Sequence, residues 1–147
     1  MTPTLPIDLA LIGTGNRATT QYAPLFDFLR PWVRLVAVCD PVKENADRMA
    51  DRLDVDAYYS VRELAKARPM EAALIVAPVE THYPLSCYLM EFGVHCHVET
   101  SMANLLMQGQ AMVETAKKND VVLRIAENFF RFPFDRIAKK IADTGFI

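Results

Sequence analysis

Residues 7–18 read IDLALIGTGNRA, an apolar run followed by a Gly-x-Gly-x-x-Ala turn and a segment that can form a helix. A strand, a tight glycine turn and a helix N-terminus in this order form a cradle for a pyrophosphate. Gly13 allows the sharp turn, Gly15 lets phosphates approach the backbone, and Ala18 keeps the helix close to the sheet. The motif also recurs by chance in loops, so its meaning depends on what the rest of the chain forms.

The composition is typical of one folded domain. The chain has 147 residues, of which 52% are hydrophobic and 23% charged, and its net charge is −2. A chain of this length buries about 68–70% of its unfolded surface. The small negative charge argues against a nucleic-acid or membrane-surface partner. No apolar run approaches the roughly 20 residues of a membrane helix.

The cysteines and the N-terminus indicate a cellular compartment. Cys39, Cys87 and Cys96 are odd in number and lack the paired spacing of a metal site. This usage fits buried thiols in a reducing cytoplasm. Residues 1–6 carry no basic residue ahead of the first apolar run, so we expect no signal peptide and a cytoplasmic protein.

Apolar runs and helical patterns alternate along the chain, which predicts parallel βαβ units. Such units build a doubly wound, three-layer α/β/α sheet of the Rossmann type, and the predicted strand order is 3-2-1-4-5-6. The predicted strands are Ile7–Ile12, Trp32–Cys39, Asp56–Ser60, Ala72–Val76, Val94–Val98 and Val121–Ile125.

Helical patterns lie between these strands. Pro24 predicts a kink after the glycine turn, or a short first helix followed by a second one. Pro84 is predicted in the first turn of a helix that Gly93 ends. The predicted helices are Lys43–Leu53, Val61–Ala67, Thr81–Phe92 and Phe134–Ala142.

The clearest helical pattern follows the fifth strand. Asn104 is its predicted N-terminal cap. Gly109 inside it costs about 1 kcal/mol relative to alanine, which a close approach of the helix to the sheet would explain. The stripe predicted to face the core consists of Met102, Leu105, Leu106, Met112, Val113 and Ala116.

The acid at the end of the second strand gives the glycine turn its context. Asp40 lies 27 residues after Gly13, close to where this fold binds the ribose hydroxyls of a dinucleotide. The alternative is that Asp40 only caps the following helix. A carboxylate here favours NAD over NADP because it repels a 2′-phosphate, although Arg17 and Lys43 are near enough to weaken that preference.

Five segments carry a family resemblance: GTGNRA at residues 13–18, AVCDP at 37–41, APVETH at 77–82, GVHCHVETSMA at 93–103 and AENFFRF at 126–132. Their order and spacing resemble the N-terminal domain of the glucose-fructose oxidoreductase, inositol dehydrogenase and rhizopine-catabolism (Gfo/Idh/MocA) family. The resemblance covers essentially the whole chain. It implies a domain of an oxidoreductase that transfers hydride between NAD(H) and a sugar, cyclitol or related small polar hydroxy or keto compound.

The resemblance also implies the residues that bind the cofactor. Asp40 would bind the adenosine ribose. The residues that would contact the pyrophosphate are Gly13, Thr14, Gly15, Asn16 and Arg17.

The remaining cofactor residues follow from two other motifs. Ala77, Pro78 and His82 match the family's Thr-Pro-Asn-x-x-His segment, which lies beside the nicotinamide half of the cofactor. Glu99 and Thr100 match the first two residues of its Glu-Lys-Pro motif. Asn128 matches an asparagine close to the nicotinamide and substrate pocket.

The chain departs from the family pattern at three residues. Thr100 replaces the motif's lysine, Ser101 its proline, and Val79 the asparagine of Thr-Pro-Asn. Threonine cannot supply a positive charge or a titrating amine, so no catalytic residue is assigned. Family members carry a second α/β domain that supplies most of the substrate pocket, and we expect that domain to lie outside residues 1–147.

Several alternatives stay open. His95, His97 and Glu99 alternate along a strand and could form a metal site, although burial and the resemblance explain them better. His82 is either a general acid or a capping or cofactor-contact residue. The chain could also be a non-catalytic dinucleotide-binding or sensor module, or an assembly module with a vestigial site. Self-association into a homo-oligomer is expected if an apolar face is uncovered.

Overall fold

Parallel strands form one sheet with helices on both faces. The computed structural model describes residues 6–67, 70–128 and 132–145. Within these residues the strand order is β3-β2-β1-β4-β5-β6, which confirms the predicted doubly wound sheet of the Rossmann type. The strands are β1 (Ile7–Ile12), β2 (Val33–Cys39), β3 (Asp56–Tyr58), β4 (Ala72–Ile75), β5 (His95–Val98) and β6 (Leu123–Ile125).

The first crossover is broken, as Pro24 predicts. A π-helical turn (Ala18–Tyr22) is followed by a 3₁₀ turn (Ala23–Leu25) and then by the short helix α1 (Phe26–Leu29). Pro24 lies at the start of the 3₁₀ turn, where its missing N–H leaves no helical hydrogen bond unmade. The other helices are α2 (Lys43–Leu53), α3 (Val61–Ala67), α4 (Val79–Glu91), α5 (Leu106–Lys118) and α6 (Pro133–Asp143).

The core has two layers, one on each face of the sheet. On one face, α3, α4 and α5 contribute buried Leu64, Leu89 and Met112. On the other face, the first crossover and α2 contribute Phe26 and Met49. Burying apolar side chains on both faces stabilises a parallel sheet and holds its carboxyl edge in a defined shape.

One proline prediction is wrong. α4 begins at Val79, directly after the extended residue Pro78, so Pro84 lies in its second turn and not its first. The end of α4 is as predicted, because Gly93 has φ +78° and its N–H donates to the carbonyl of Met90 over 3.0 Å.

The predicted start of α5 is wrong as well. The helix begins at Leu106, and extended Leu105 takes the capping position that Asn104 was expected to fill. The Leu105 N–H donates to the Gln108 side-chain oxygen over 3.3 Å, so the glutamine supplies the acceptor there. Only Met112 and Ala116 of the predicted stripe are buried, whereas Leu105, Leu106 and Val113 are exposed.

Gly109 does not mark a close approach of α5 to the sheet, which corrects the prediction. A Cβ built on Gly109 would meet first the sulfur of Met102, at an ordinary contact distance of 3.5 Å. That sulfur belongs to a side chain and not to a strand. The glycine is therefore not required by packing.

No helix in the described part of the chain combines the length and the apolar character needed to cross a bilayer.

Candidate functional site

The carboxyl ends of β1, β2 and β4 meet beside the glycine turn. The Gly13 N–H donates to the carbonyl of Cys39 and the Val76 N–H to the carbonyl of Ile12, each over 2.8 Å. β1 pairs with β2 on one side and with β4 on the other, so the direction of chain progression reverses at β1. Open α/β sheets form a crevice at such a switch point.

The two glycines of the turn meet different surroundings. Gly13 has φ +86°, and a Cβ there would lie 2.8 Å from the carbonyl oxygen of Val76 and 2.9 Å from the nitrogen of Ala77. Gly13 is therefore required by the close approach of the backbone that follows β4. A Cβ on Gly15 would meet no atom within 4 Å, which leaves open space above the turn.

A cleft of about 990 Å³ opens at this edge of the sheet. It runs from the glycine turn past the ends of β2, β3 and β4 to one side of α4. Seven of the residues predicted to bind a cofactor line it: Gly13, Gly15, Asn16, Arg17, Asp40, Ala77 and Pro78. The other five, Thr14, His82, Glu99, Thr100 and Asn128, do not line it.

Thr14 is fully buried and holds Asp40. Its N–H and its hydroxyl donate to Oδ2 of Asp40 over 2.8 and 3.0 Å. The Val42 N–H donates to Oδ1 over 2.9 Å. Asp40 therefore bonds Val42, the residue before α2, and no N–H within α2 itself, so the capping alternative is not confirmed. Asp40 also lines the cleft. Thr14 acts on the cleft through Asp40.

Glu99 is buried at the end of β5, where it forms an ion pair with the glycine-turn segment. Arg17 donates from Nε to Oε1 of Glu99 over 2.7 Å, and the Tyr22 hydroxyl donates to the same oxygen. The Thr100 N–H donates to Oε2 over 2.9 Å. Burial alone would raise the pKa of Glu99, but the hydrogen bonds from Tyr22 and Arg17 outweigh it and hold this pKa below its ordinary value.

The proton therefore stays on the tyrosine in this cluster. Burial, together with the neighbouring Glu99 carboxylate, raises the pKa of Tyr22 to about 12. The hydrogen bond to Glu99 raises the pKa of Arg17 above its ordinary value. At neutral pH the group consists of a cation, a carboxylate and a neutral phenol.

His82 connects two loops. Its Nδ1 lies 2.8 Å from the carbonyl oxygen of Ser101 and its Nε2 lies 2.8 Å from that of Ala77. Both ring nitrogens therefore contact backbone carbonyl oxygens and not the cleft. The residue is also buried, with 1% of its surface exposed. This geometry fits a residue that positions the loops after β4 and β5 and not a general acid.

Thr100 and Asn128 are exposed and lie outside the cleft lining. A cis peptide bond joins Thr100 to Ser101. Residues 129–131, which complete the AENFFRF segment of the resemblance, lie outside the described residues.

The alternation of His95 and His97 along β5 is confirmed, since Cys96 and Val98 between and after them are buried. The Nδ1 of His95 accepts a hydrogen bond from the Val122 N–H over 2.9 Å, which occupies that nitrogen. Within the residues that the structure describes, no three histidine, cysteine or acidic side chains are grouped to hold a metal ion. Burial raises the pKa values of Cys39 and Cys96 to about 12, which makes both thiols poor nucleophiles.

Sequence reasoning missed part of the cleft. Tyr59, Ser60 and Arg62 follow β3, and Thr81 and Tyr88 belong to α4. The end of β3 was recognisable, because it follows a predicted strand at the same edge of the sheet. The α4 residues carried no such signal, because their contribution depends on how the helix packs.

The glycine turn, the buried carboxylate at the end of β2 and the cleft at the switch point define a dinucleotide-binding domain of the Rossmann class. A family model described as "Oxidoreductase family, NAD-binding Rossmann fold" matches residues 7–127. The chain belongs to this family, Gfo/Idh/MocA, which confirms the resemblance seen in the sequence.

The relatives that the chain matches are longer than the chain. A protein named glycosyl hydrolase family 109 from Streptomyces filamentosus is 29% identical over 122 residues, covering 76% of the chain and 24% of the relative. A scyllo-inositol 2-dehydrogenase (NAD(+)) from Bacillus subtilis is 28% identical over 119 residues, covering 78% of the chain and 34% of the relative. An oxidoreductase structure from Thermotoga maritima superposes with a TM-score of 0.86 at 27% identity, covering 96% of the chain and 44% of its own. The chain thus spans a quarter to a third of these curated relatives.

Proposed function

We propose that the chain is the nucleotide-binding part of an oxidoreductase that transfers hydride between NAD(H) and a hydroxyl or keto carbon. The substrate would be a sugar, cyclitol or related small polar compound, by analogy with the scyllo-inositol dehydrogenase relative. The observation that carries the proposal is the open space above Gly15 in a cleft that also contains Asp40. The nicotinamide donates or accepts the hydride when it is bound, and the protein binds and orients it.

The phosphates would lie over Gly15, Asn16 and Arg17. These residues line the cleft at the start of the first helical segment, where N–H groups and the helix dipole favour an anion. Because Gly15 has no side chain, the phosphates can reach this backbone. Ala77 and Pro78 would flank the nicotinamide half.

Asp40 would accept a hydrogen bond from the adenosine ribose. Thr14 and Val42 supply three donors to its carboxylate, which has about four acceptor positions. One position remains on Oδ1, and Asp40 lines the cleft. A ribose hydroxyl therefore has an acceptor available without any existing bond being broken.

The surroundings of the two nearby cations support NAD over NADP. The Lys43 ammonium lies 3.2 Å from the carboxylate of Asp47 and 2.8 Å from the hydroxyl of Tyr59. Arg17 is paired with Glu99. The charge of Lys43 is compensated by Asp47, and Arg17 is held by Glu99 beside the pyrophosphate position, so the charge of Asp40 would dominate at the ribose and repel a 2′-phosphate.

We propose further that a second α/β domain completes the substrate pocket. The length of the relatives supports this, and so does α6, whose apolar side chains Phe134, Ile137 and Ile141 are 65%, 58% and 42% exposed. A surface of this kind usually marks an interface. We propose a cytoplasmic location, which is supported by the three cysteines, all of them free thiols.

A second candidate is a dinucleotide-binding or sensor module without turnover. Thr100 favours it, because the residue in place of the family lysine has no titrating amine and lies outside the cleft lining. An absorbance assay for NAD reduction with cyclitols, sugars and glycosides separates the two candidates. The assay uses the protein that includes the second domain, because the pocket is proposed to be incomplete without it. Tight binding without turnover on the whole panel would support the sensor, whereas reduction of NAD by any member would support the oxidoreductase.

Calorimetric titration with NADH tests the site itself. Asp40→Ala removes the ribose acceptor together with its bonds to Thr14 and Val42, so its free energy of unfolding is measured alongside. Gly15→Leu fills the space over the turn. Each should weaken NADH binding by about tenfold or more, since each removes one or two kcal/mol of interaction or blocks the phosphates. Asp51→Ala, which changes an exposed acid on α2, is the matched control. Absence of NADH binding by the unchanged chain at millimolar ligand would contradict the proposal.

A further inference from the structure

We propose that Tyr22 and Glu99 are positioning residues that hold the Arg17 guanidinium for the phosphates of the cofactor. The inference rests on the proposed function, because it takes the cleft over the glycine turn to be the phosphate site. It assigns a role to Tyr22, which no sequence motif identifies. It also changes the role expected of Glu99 from a cofactor contact to a residue that acts through Arg17.

Burial separates Glu99 from the cleft. The residue is 4% exposed and does not line the cleft, whereas Arg17 lines it and keeps 63% of its side chain exposed. Both carboxylate oxygens of Glu99 already accept hydrogen bonds, Oε1 from Arg17 and Tyr22 and Oε2 from Thr100. A ligand in the cleft would therefore reach Arg17 and not Glu99.

The hydrogen bond from Arg17 to Glu99 is made by Nε and not by the terminal amino groups. A guanidinium carries five N–H donors in a planar fork, and the bond from Nε to Oε1 engages one of them. Phosphates are bound best by such a fork when its plane is fixed. Because Arg17 lies two residues after Gly15, its fork is fixed next to the position where the phosphates would lie.

Tyr22 fixes Glu99 in turn. Its hydroxyl and Nε of Arg17 donate to the same carboxylate oxygen, and Tyr22 is at the end of the π-helical turn that begins at Ala18. A π-helical turn changes the direction in which following side chains point, and such turns are frequent at functional sites. The arrangement reduces the freedom that Arg17 would lose on binding a ligand, so it should increase affinity by preorganisation.

The test compares ligands with and without phosphate. NADH and ADP contain a pyrophosphate and adenosine contains none, so only the first two report on Arg17. Tyr22→Phe should weaken NADH and ADP about fivefold, and Glu99→Gln about tenfold or more, with adenosine affinity unchanged. Binding is measured by titration with NADH, using nicotinamide fluorescence, and by displacement of NADH with ADP or adenosine.

Two comparisons keep the test specific. Tyr83→Phe removes the hydroxyl of another half-buried tyrosine, outside the cleft lining, and should leave all three affinities unchanged. In an Arg17→Met background, Tyr22→Phe should have no further effect on ADP affinity, because the group that it positions is gone.

The outcomes separate the inference from the proposed function. Equal losses of ADP and adenosine affinity in Tyr22→Phe, or no loss at all, would overturn the positioning role while NADH binding by the unchanged chain upholds the dinucleotide site. An undiminished effect of Tyr22→Phe in the Arg17→Met background would overturn it as well. Failure of the unchanged chain to bind either NADH or ADP would overturn both.

Discussion

At the scale of single residues, Gly13 and Gly15 serve different purposes in the same turn. Alanine at position 13 would carry φ +86° and place its Cβ 2.8 Å from a backbone oxygen. We expect Gly13→Ala to lower the free energy of unfolding by at least about 2 kcal/mol, through backbone strain and overpacking. Gly15→Ala has open space, so it should change this free energy by less than about 0.5 kcal/mol.

Denaturant unfolding and NADH titration of both variants check this contrast. Gly15→Ala should keep its stability and lose cofactor affinity, because its methyl group projects into the space over the turn. An unstable Gly15→Ala variant would show that position 15 is needed by the fold, and a stable Gly13→Ala variant would show that the loop after β4 can move away.

The site residues could be predicted from the sequence only where they belong to a local motif. Gly13, Gly15 and Asp40 follow strand ends, and strand ends of a parallel sheet share an edge. The contact between Tyr22 and Glu99 spans 77 positions and depends on a π-helical turn, which no residue pattern indicates. The burial of Thr14 and its bond to Asp40 likewise arise only when the turn folds against β2.

At the scale of elements, Gly109 lowers the stability of α5, and the packing around it does not require a glycine. It lies inside the helix, and a methyl group there would make an ordinary contact with Met102. We expect Gly109→Ala to raise the free energy of unfolding by about 0.5–1 kcal/mol, because alanine restricts the unfolded chain and favours the helix. Ala111→Gly in the same helix should lower it by a similar amount. A loss of stability in Gly109→Ala would contradict this prediction and would mean that the Met102 side chain cannot move to accommodate the methyl group.

The bounds of the elements show which local forces can be recognised in a sequence. β1, α2 and α3 have the predicted bounds, since each begins and ends where apolar periodicity begins and ends. α4 begins earlier than predicted because extended Pro78 lets the helix start at once, with Pro84 inside it. α5 begins later because Gln108 bonds the Leu105 N–H. Both errors concern competition between alternative caps, which periodicity does not resolve.

At the scale of the whole molecule, strand order alone places the cleft. The reversal of direction at β1 separates the loops that follow β1 and β4, and tertiary packing then joins them through contacts such as Gly13 with Val76. The alternation of apolar and helical segments was sufficient to predict this order, because right-handed crossovers permit few arrangements. The same alternation could not predict which side chains enter the cleft, because α4 and the segment after β3 adjust to the packed core.

The apolar side of α6 has consequences for the chain as a separate molecule. Phe134, Ile137 and Ile141 recur at helical spacing, and no residue of α6 within the described range is buried. Each would gain about 1.5–3 kcal/mol if fully buried, so the 147-residue chain should self-associate through this helix. Ile137→Glu should shift sedimentation velocity profiles towards monomer. Lys140→Gln changes the net charge by the same amount elsewhere on the helix and should not. NADH affinity should be equal in both variants, because the cleft is formed by other elements. If Ile137→Glu still associates, the contact lies elsewhere on the molecule and the prediction is wrong.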